Sequence, residues 1–350
     1  MELSEEGKNL IRDLQRIRGN TIVLTYITST RDGWNMVISM DTVRKFYKHL
    51  KSISTPKEET KIDLFLHSNG GDIVAPWKLV TLIREYCSEF NVIVPYRAFS
   101  AATLIALGAD NIYMHPAGML GPTDPTVRND FNPPDPFNPR NKLGVSVEDV
   151  MSYIALAEND FGVQNKEKIL ELIAGENKIH PLALGHVKRF YYQARMIAKN
   201  LLKLHSTIFD LPKINRIVES LNSKSYFHGH PINREEAKKL GLPIREMSAD
   251  LEGAAWKLYE YYEKQMDLEK PFDAPTALNA AHPQGLPIML MPAGFNPASL
   301  GVVQKGVMIE SLTGGSDVFE ASMRIDGYRN YGQNGLQDFI TWRQTDVGWK

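Results

Sequence analysis

In NVIVPYRAFSAATLIALGADNIYMH, residues 91–115, a run of apolar β-formers breaks at small residues, restarts with helical character and is followed by a second short apolar run. Residues 91–96 read as a strand, 100–109 as a helix and 111–115 as a strand again. A strand that returns to the next strand through a helix makes a parallel pair with a right-handed crossover. The pattern repeats upstream. TIVLTYI (21–27) reads as a strand, DTVRKFYKHLKSI as a helix capped by Asp41, and IDLFLHS (62–68) as a buried strand. NGGD then reads as a tight turn and IVAPWKLVTLIREYC as the next helix. The first half is therefore expected to be α/β, a mostly parallel sheet flanked by helices.

Farther along, PAGMLGPTDPTVRNDFNPPDPFNPR (116–140) carries seven prolines and reads as a long irregular loop, since proline lacks an N–H and breaks helices. From Ser146 to about His205 the pattern is helical. In SKSYFHGHPINREEAKKLGLPI, Asn233 and Glu236 resemble a capping box and Gly241 a C′ glycine. After about Leu268 the chain turns rich in Pro, Gly and Asn, with short runs such as LPIMLM and GVMIES. This places a boundary between residues 1–267 and a small β-containing C-terminal extension, 268–350.

Lys plus Arg number 40 against Asp plus Glu at 41, so no charge surplus draws the chain to nucleic acid. No apolar run reaches the roughly 18 residues of a membrane span, and the N-terminus lacks the apolar core of a signal peptide. A cytoplasmic location is expected. The one cysteine, Cys87, can form neither an internal disulfide nor a Cys-based metal site, and reads as a core residue.

Two places could carry chemistry. The Gly70-Gly71 pair after a buried strand leaves backbone N–H groups uncovered, as an oxyanion site requires, although such turns are common without function. Ser100, at the start of a helix beside Ala101 and Ala102, suits a nucleophile near the positive helix end and equally suits an N-cap. Neither G-x-G-x-x-G nor G-x-S-x-G is present. For a base, His67 reads as a strand residue and His49, His186 and His205 as helical packing or surface residues. His115, His180 and His282 each precede proline, while His228 and His230 sit before a capped helix. No H-E-x-x-H pattern supports a metal, and no cofactor is expected. The best-placed acid is Asp124 in LGPTDPT, ahead of Asp130 and Asp135; its plain reading is an Asp-Pro turn.

Taken together, DLFLHSNGGDIVAPWKLVTLI, VPYRAFSAATLIALGADNIYMHPAGMLGPTDP and YFHGHPINREEAKKLGL resemble, in that order, the motifs of the serine dehydrogenase proteinase family. That family lies in the ClpP/crotonase superfamily and is related to signal peptide peptidase A. The resemblance spans roughly residues 20–245. It implies a ClpP/crotonase-like fold and peptide hydrolysis through an acyl-enzyme on Ser100, with Asp124 and His228 completing a triad. It implies oxyanion donors at Gly70, Gly71 and Ala101, a peptide or protein substrate, and a homo-oligomer. The chain departs from the family pattern at Gly229 and at Ala101-Ala102, where the family often has an acidic residue and glycines. Three other readings stay open: a Ser/Lys dyad using Lys142, Lys166 or Lys168, a catalytically silent oligomeric binding module, and a crotonase-type acyl-CoA enzyme.

Overall fold

The computed structural model describes residues 2–123, 126–127, 129–136, 141–175, 179–205, 209–221, 230–289, 295–332 and 335–350. The chain enters through α1 (Glu5–Ile17), where Ser4 Oγ accepts from Gly7 N at 3.0 Å. Then come β1 (Ile22–Thr28), a two-residue hairpin of β2 (Thr30–Arg31) and β3 (Trp34–Asn35), and α2 (Thr42–Lys51). Two further crossovers follow: β4 (Lys61–His67) and α3 (Ala75–Arg84), β5 (Glu89–Val94), β6 (Arg97–Ala98) and α4 (Ala101–Leu107), then β7 (Asn111–Met114) and β8 (Met119–Leu120). The quoted stretch thus folds as read, with β5 parallel to β7 and α4 between them.

After β9 (Thr126–Val127) and β10 (Val145–Ser146), the expected helical region divides into α5 (Val147–Ala155), α6 (Lys166–Ala174) and the long α7 (Pro181–Leu202), followed by α8 (Leu211–Leu221). Next are α9 (Arg234–Lys239), β11 (Ile244–Arg245), α10 (Ala249–Met266) and α11 (Ala274–Ala281). Asn233 caps α9, its Oδ1 accepting from Glu236 N at 3.0 Å, and Gly241 ends it at φ +90.

Among the described residues the main sheet runs β11-β7-β5-β4-β1 in parallel and continues, antiparallel, into β12 (Ala298–Ser311), β13 (Gly315–Gly332) and β14 (Gly335–Trp349). The stretch past 268 does contain strands, and β12 is hydrogen-bonded directly to β1, with Thr25 opposite Glu310. GVMIES lies in β12 as expected. LPIMLM does not form a strand over its described residues, where Ile288 makes only an isolated bridge to Arg329. Asp41 does not cap α2 either: its carboxylate accepts from Ser39 Oγ and from Trp349 Nε1, at the end of β14.

Helices cover both faces of the parallel strands, which explains why β1 and β4 are apolar almost without alternation. One core, containing Leu64, Leu66, Val92 and Val94, packs against α2, α3, α4, α7 and α8. The other, with Val23, Phe65 and Ile93, packs against α1 and α10. Asp63, buried in β4, is satisfied by Arg18 Nε, which donates at 2.6 Å, Asn91 Nδ2 at 2.9 Å and Thr21 Oγ1 at 3.2 Å. Cys87 is buried as expected, and burial pushes its thiol up to about 12.

Candidate active site

Ser100 ends the connection from β6 and opens α4 with φ 53 and ψ −113, one of the positive-φ non-glycine residues of the described chain. An L-residue in that region costs about 1–3 kcal/mol and persists only where its surroundings impose it. The side chain makes no capping hydrogen bond, and its Oγ bonds to no other described residue. Ser100 therefore occupies the N-cap position without doing an N-cap's work.

What imposes the strain is the turn after β4. Gly70 (φ +104) is seated on Ser100: a Cβ there would lie 2.7 Å from both Ser100 Cβ and Phe99 O. Gly71 (φ +152) is pressed on the other side, where a Cβ would meet Ile38 O at 2.3 Å. Ser68 holds the two segments together. Its N–H donates to Arg97 O at 2.9 Å and its carbonyl accepts from Phe99 N at 3.0 Å. Its Oγ accepts from Thr28 Oγ1 at 2.8 Å and from Gly70 N at 3.0 Å. The Gly70 N–H is thus engaged, whereas Gly71 N and Ala101 N donate to no group among the described residues.

A narrow ribbon runs beside this turn. Ser68 bridges Ala98 in parallel, Ala98 pairs with Leu120 of β8, and Leu120 forms an antiparallel bridge with Ile232. The last bridge is complete, with Ile232 N to Leu120 O at 2.8 Å and Leu120 N to Ile232 O at 3.0 Å. Thr103, inside α4, fixes the ribbon's far edge. Its Oγ1 lies 2.7 Å from Ala98 O and 2.8 Å from Gly121 O, and accepts from Gly121 N at 3.1 Å. Three motifs far apart in sequence are therefore neighbours, with Ser100 two residues past Ala98. Asp124 and His228 themselves lie outside the described residues. The contributions of Ser68, Thr28, Thr103 and Phe99 carried no sequence signal, because each acts through a hydrogen bond to a distant segment.

None of the described histidines hydrogen-bonds to Ser100. His67 is wholly buried: its Nδ1 accepts from Arg97 N at 3.3 Å, so the neutral ring donates through Nε2 to Thr30 Oγ1 at 3.1 Å. Burial, helped by Arg97, lowers its pKa to about 3. His49 is a core residue rather than a surface one. It sits between Ser311 Oγ (2.7 Å) and Asp317 Oδ2 (3.2 Å) in a triad-like chain joining α2 to the β12–β13 turn. Ser311 is 1% exposed and a Cβ on Gly314 would lie 2.2 Å from the His49 ring, so no substrate can enter. Among the proposed lysines, Lys168 is exposed on α6, without the burial a neutral lysine base requires, and Lys142 bridges Pro134. The described residues contain no metal-binding group of three or more His, Cys, Asp or Glu, and no helix long and apolar enough to cross a membrane.

The Gly-Gly turn, the strained serine and the β8 ribbon edge all fall within one block of the chain that a family model recognises. Residues 2–137 match the ClpP-like SDH-type serine proteinases. The resemblance to serine proteinases is borne out over that span, which holds the first two of the three motifs. Two uncharacterized proteins of Methanocaldococcus jannaschii are also similar to it. One is 27% identical over 237 residues, covering 67% of this chain and 72% of its own length. The other is 23% identical over 264 residues, covering 73% and 76%. Among solved structures, a 1510-N membrane-bound stomatin-specific protease is 17% identical with a TM-score of 0.35, covering 64% of this chain and 80% of its own. ClpP1 from Listeria monocytogenes is 14% identical with a TM-score of 0.34, covering 69% and 99%.

Proposed function

We propose that the protein is a serine peptidase in which Ser100 attacks the scissile carbonyl, His228 takes its proton and Asp124 holds the imidazole tautomer. The observation that carries this reading is Ser100 itself: a strained residue whose hydroxyl serves no structural bond, held against a glycine turn at the N-terminus of α4. Gly71 N and Ala101 N, which have no other described acceptor, suit the oxyanion, while Gly70 shapes the turn through Ser68. The antiparallel bridge between Leu120 and Ile232 supports the partners. In the chain Asp124 lies four residues past Leu120 and His228 four residues before Ile232, so the bridge joins the two segments that carry them.

A fluorophosphonate probe on the full chain tests the reading. Labelling is expected in the native protein, absent in Ser100→Ala, and lowered by at least about 100-fold in His228→Ala. Labelling unchanged in Ser100→Ala would refute the nucleophile. Labelling retained in His228→Ala but lost on replacing Lys142 or Lys166 would transfer the base to a lysine.

A further inference from the structure

A second feature opens at the same end of the sheet as Ser100, on the α10 side. A cleft of about 490 Å³ is lined by Thr30 and Asp32 of the β2–β3 hairpin, Tyr96 and Arg97 after β5, Trp256, Tyr259 and Glu263 of α10, and Glu269 just past its end. Trp256, Tyr259 and Glu263 stand at i, i+3 and i+7, so one stripe of α10 faces the cleft. Its wall is aromatic. Trp256 and Tyr259 have centroids 5.2 Å apart, Tyr259 and Tyr96 5.6 Å, and the neutral His67 ring stacks on Tyr96 from beneath at 6.0 Å.

The charge in the cleft is one-sided: Asp32, Glu263 and Glu269 face a single cation, Arg97. Arg97 is already committed, lying 4.9 Å over the Tyr96 ring and donating to Tyr96 Oη at 3.4 Å. Burial raises the pKa of Glu263, and Glu269 and Glu260 add to it, so a hydrogen bond from Tyr259 compensates its anionic form only in part. A guanidinium or ammonium would supply the rest and find π-faces to lie on.

Position narrows the source of the cation. Ser100 is three positions past Arg97, so their Cα atoms are within about 11 Å, and an extended peptide covers that distance in roughly three to four residues. The hairpin carrying Thr30 and Asp32 is joined to the glycine turn, Asn69 Nδ2 donating to Asn35 Oδ1 at 2.9 Å. We infer that the cleft receives a lysine or arginine side chain of the polypeptide presented to Ser100, a proposal that rests on the peptidase reading for the identity of its ligand.

The test is calorimetric binding to the full-length Ser100→Ala protein, which cannot turn the ligand over. The probes are an acetylated alanine-rich hexapeptide with one arginine and its counterpart with glutamate in that place. The arginine peptide is expected to bind at least roughly 10-fold more tightly, and the double change Glu263→Gln, Glu269→Gln to remove most of that preference. Both glutamates are at the rim of the fold rather than in its core, and circular dichroism checks that the variant stays folded. Equal affinity for the two peptides, or a preference unmoved in the folded double variant, overturns the proposal. Absent fluorophosphonate labelling with the charge preference intact would instead overturn the role of Ser100 and leave the cleft as a cation-recognising site.

Discussion

Replacing Ser100 by glycine and by alanine separates strain from capping. At φ 53 a serine pays no capping dividend, since its side chain bonds to no described group, and it carries about 1–3 kcal/mol of backbone strain. Glycine relieves that strain while costing about 0.5–1 kcal/mol through its freer unfolded chain. Ser100→Gly should therefore be as stable as the native protein or up to about 2 kcal/mol more stable. Ser100→Ala keeps the strain and loses only an unbonded hydroxyl, so it should fall within about 0.5 kcal/mol of native. An N-cap would give another order: both variants less stable, alanine by about 1 kcal/mol and glycine by a few tenths. Urea unfolding followed by circular dichroism reads the difference, and both variants should fail to label. A glycine variant clearly below native, with alanine lower still, would refute the strain argument and restore the cap.

Gly70→Ala forces a Cβ to within 2.7 Å of Phe99 O at φ +104, so the turn must move; about 1–3 kcal/mol of stability and roughly 100-fold in labelling rate should be lost, checked by unfolding and by probe kinetics. Unchanged labelling would show that the turn does not shape the site. His67 predicts a pH dependence. Its folded pKa, about 3, lies below the ordinary 6.5, so the unfolded chain binds the extra proton between those values and stability falls as pH drops through that window. His49, His115 and His205, whose pKa values burial also lowers, act in the same direction. Replacing His67 by Gln should flatten the slope by up to about 1.4 kcal/mol per pH unit between pH 4 and 6, and an unchanged slope would contradict the burial.

The crossovers of the first half were legible because each is local: β-branched runs, small-residue breaks and caps such as Asn233 act within a few residues of themselves. The C-terminal strands were legible as a β-containing extension but not in their length or in their pairing with β1. β12, β13 and β14 owe their length to pairing with one another and with β1, and their glycine-rich, half-exposed sequences carry little periodicity of their own. Asp41 misled for a related reason, its carboxylate being drawn to Trp349, 308 residues away.

At the site, sequence alone singled out Ser100 and the Gly70-Gly71 pair, since a serine at a helix start and glycines after a strand are local features. It could not choose between cap and nucleophile, because both ask for the same residue at the same turn. The tertiary structure decided what that residue is spared from doing. By seating Gly70 on Ser100 and tying Ser68 to both segments, it holds the serine at a positive φ, where its hydroxyl cannot cap α4. It also set Ala98, Leu120 and Ile232 side by side, an adjacency made by backbone hydrogen bonds that no side-chain pattern encodes.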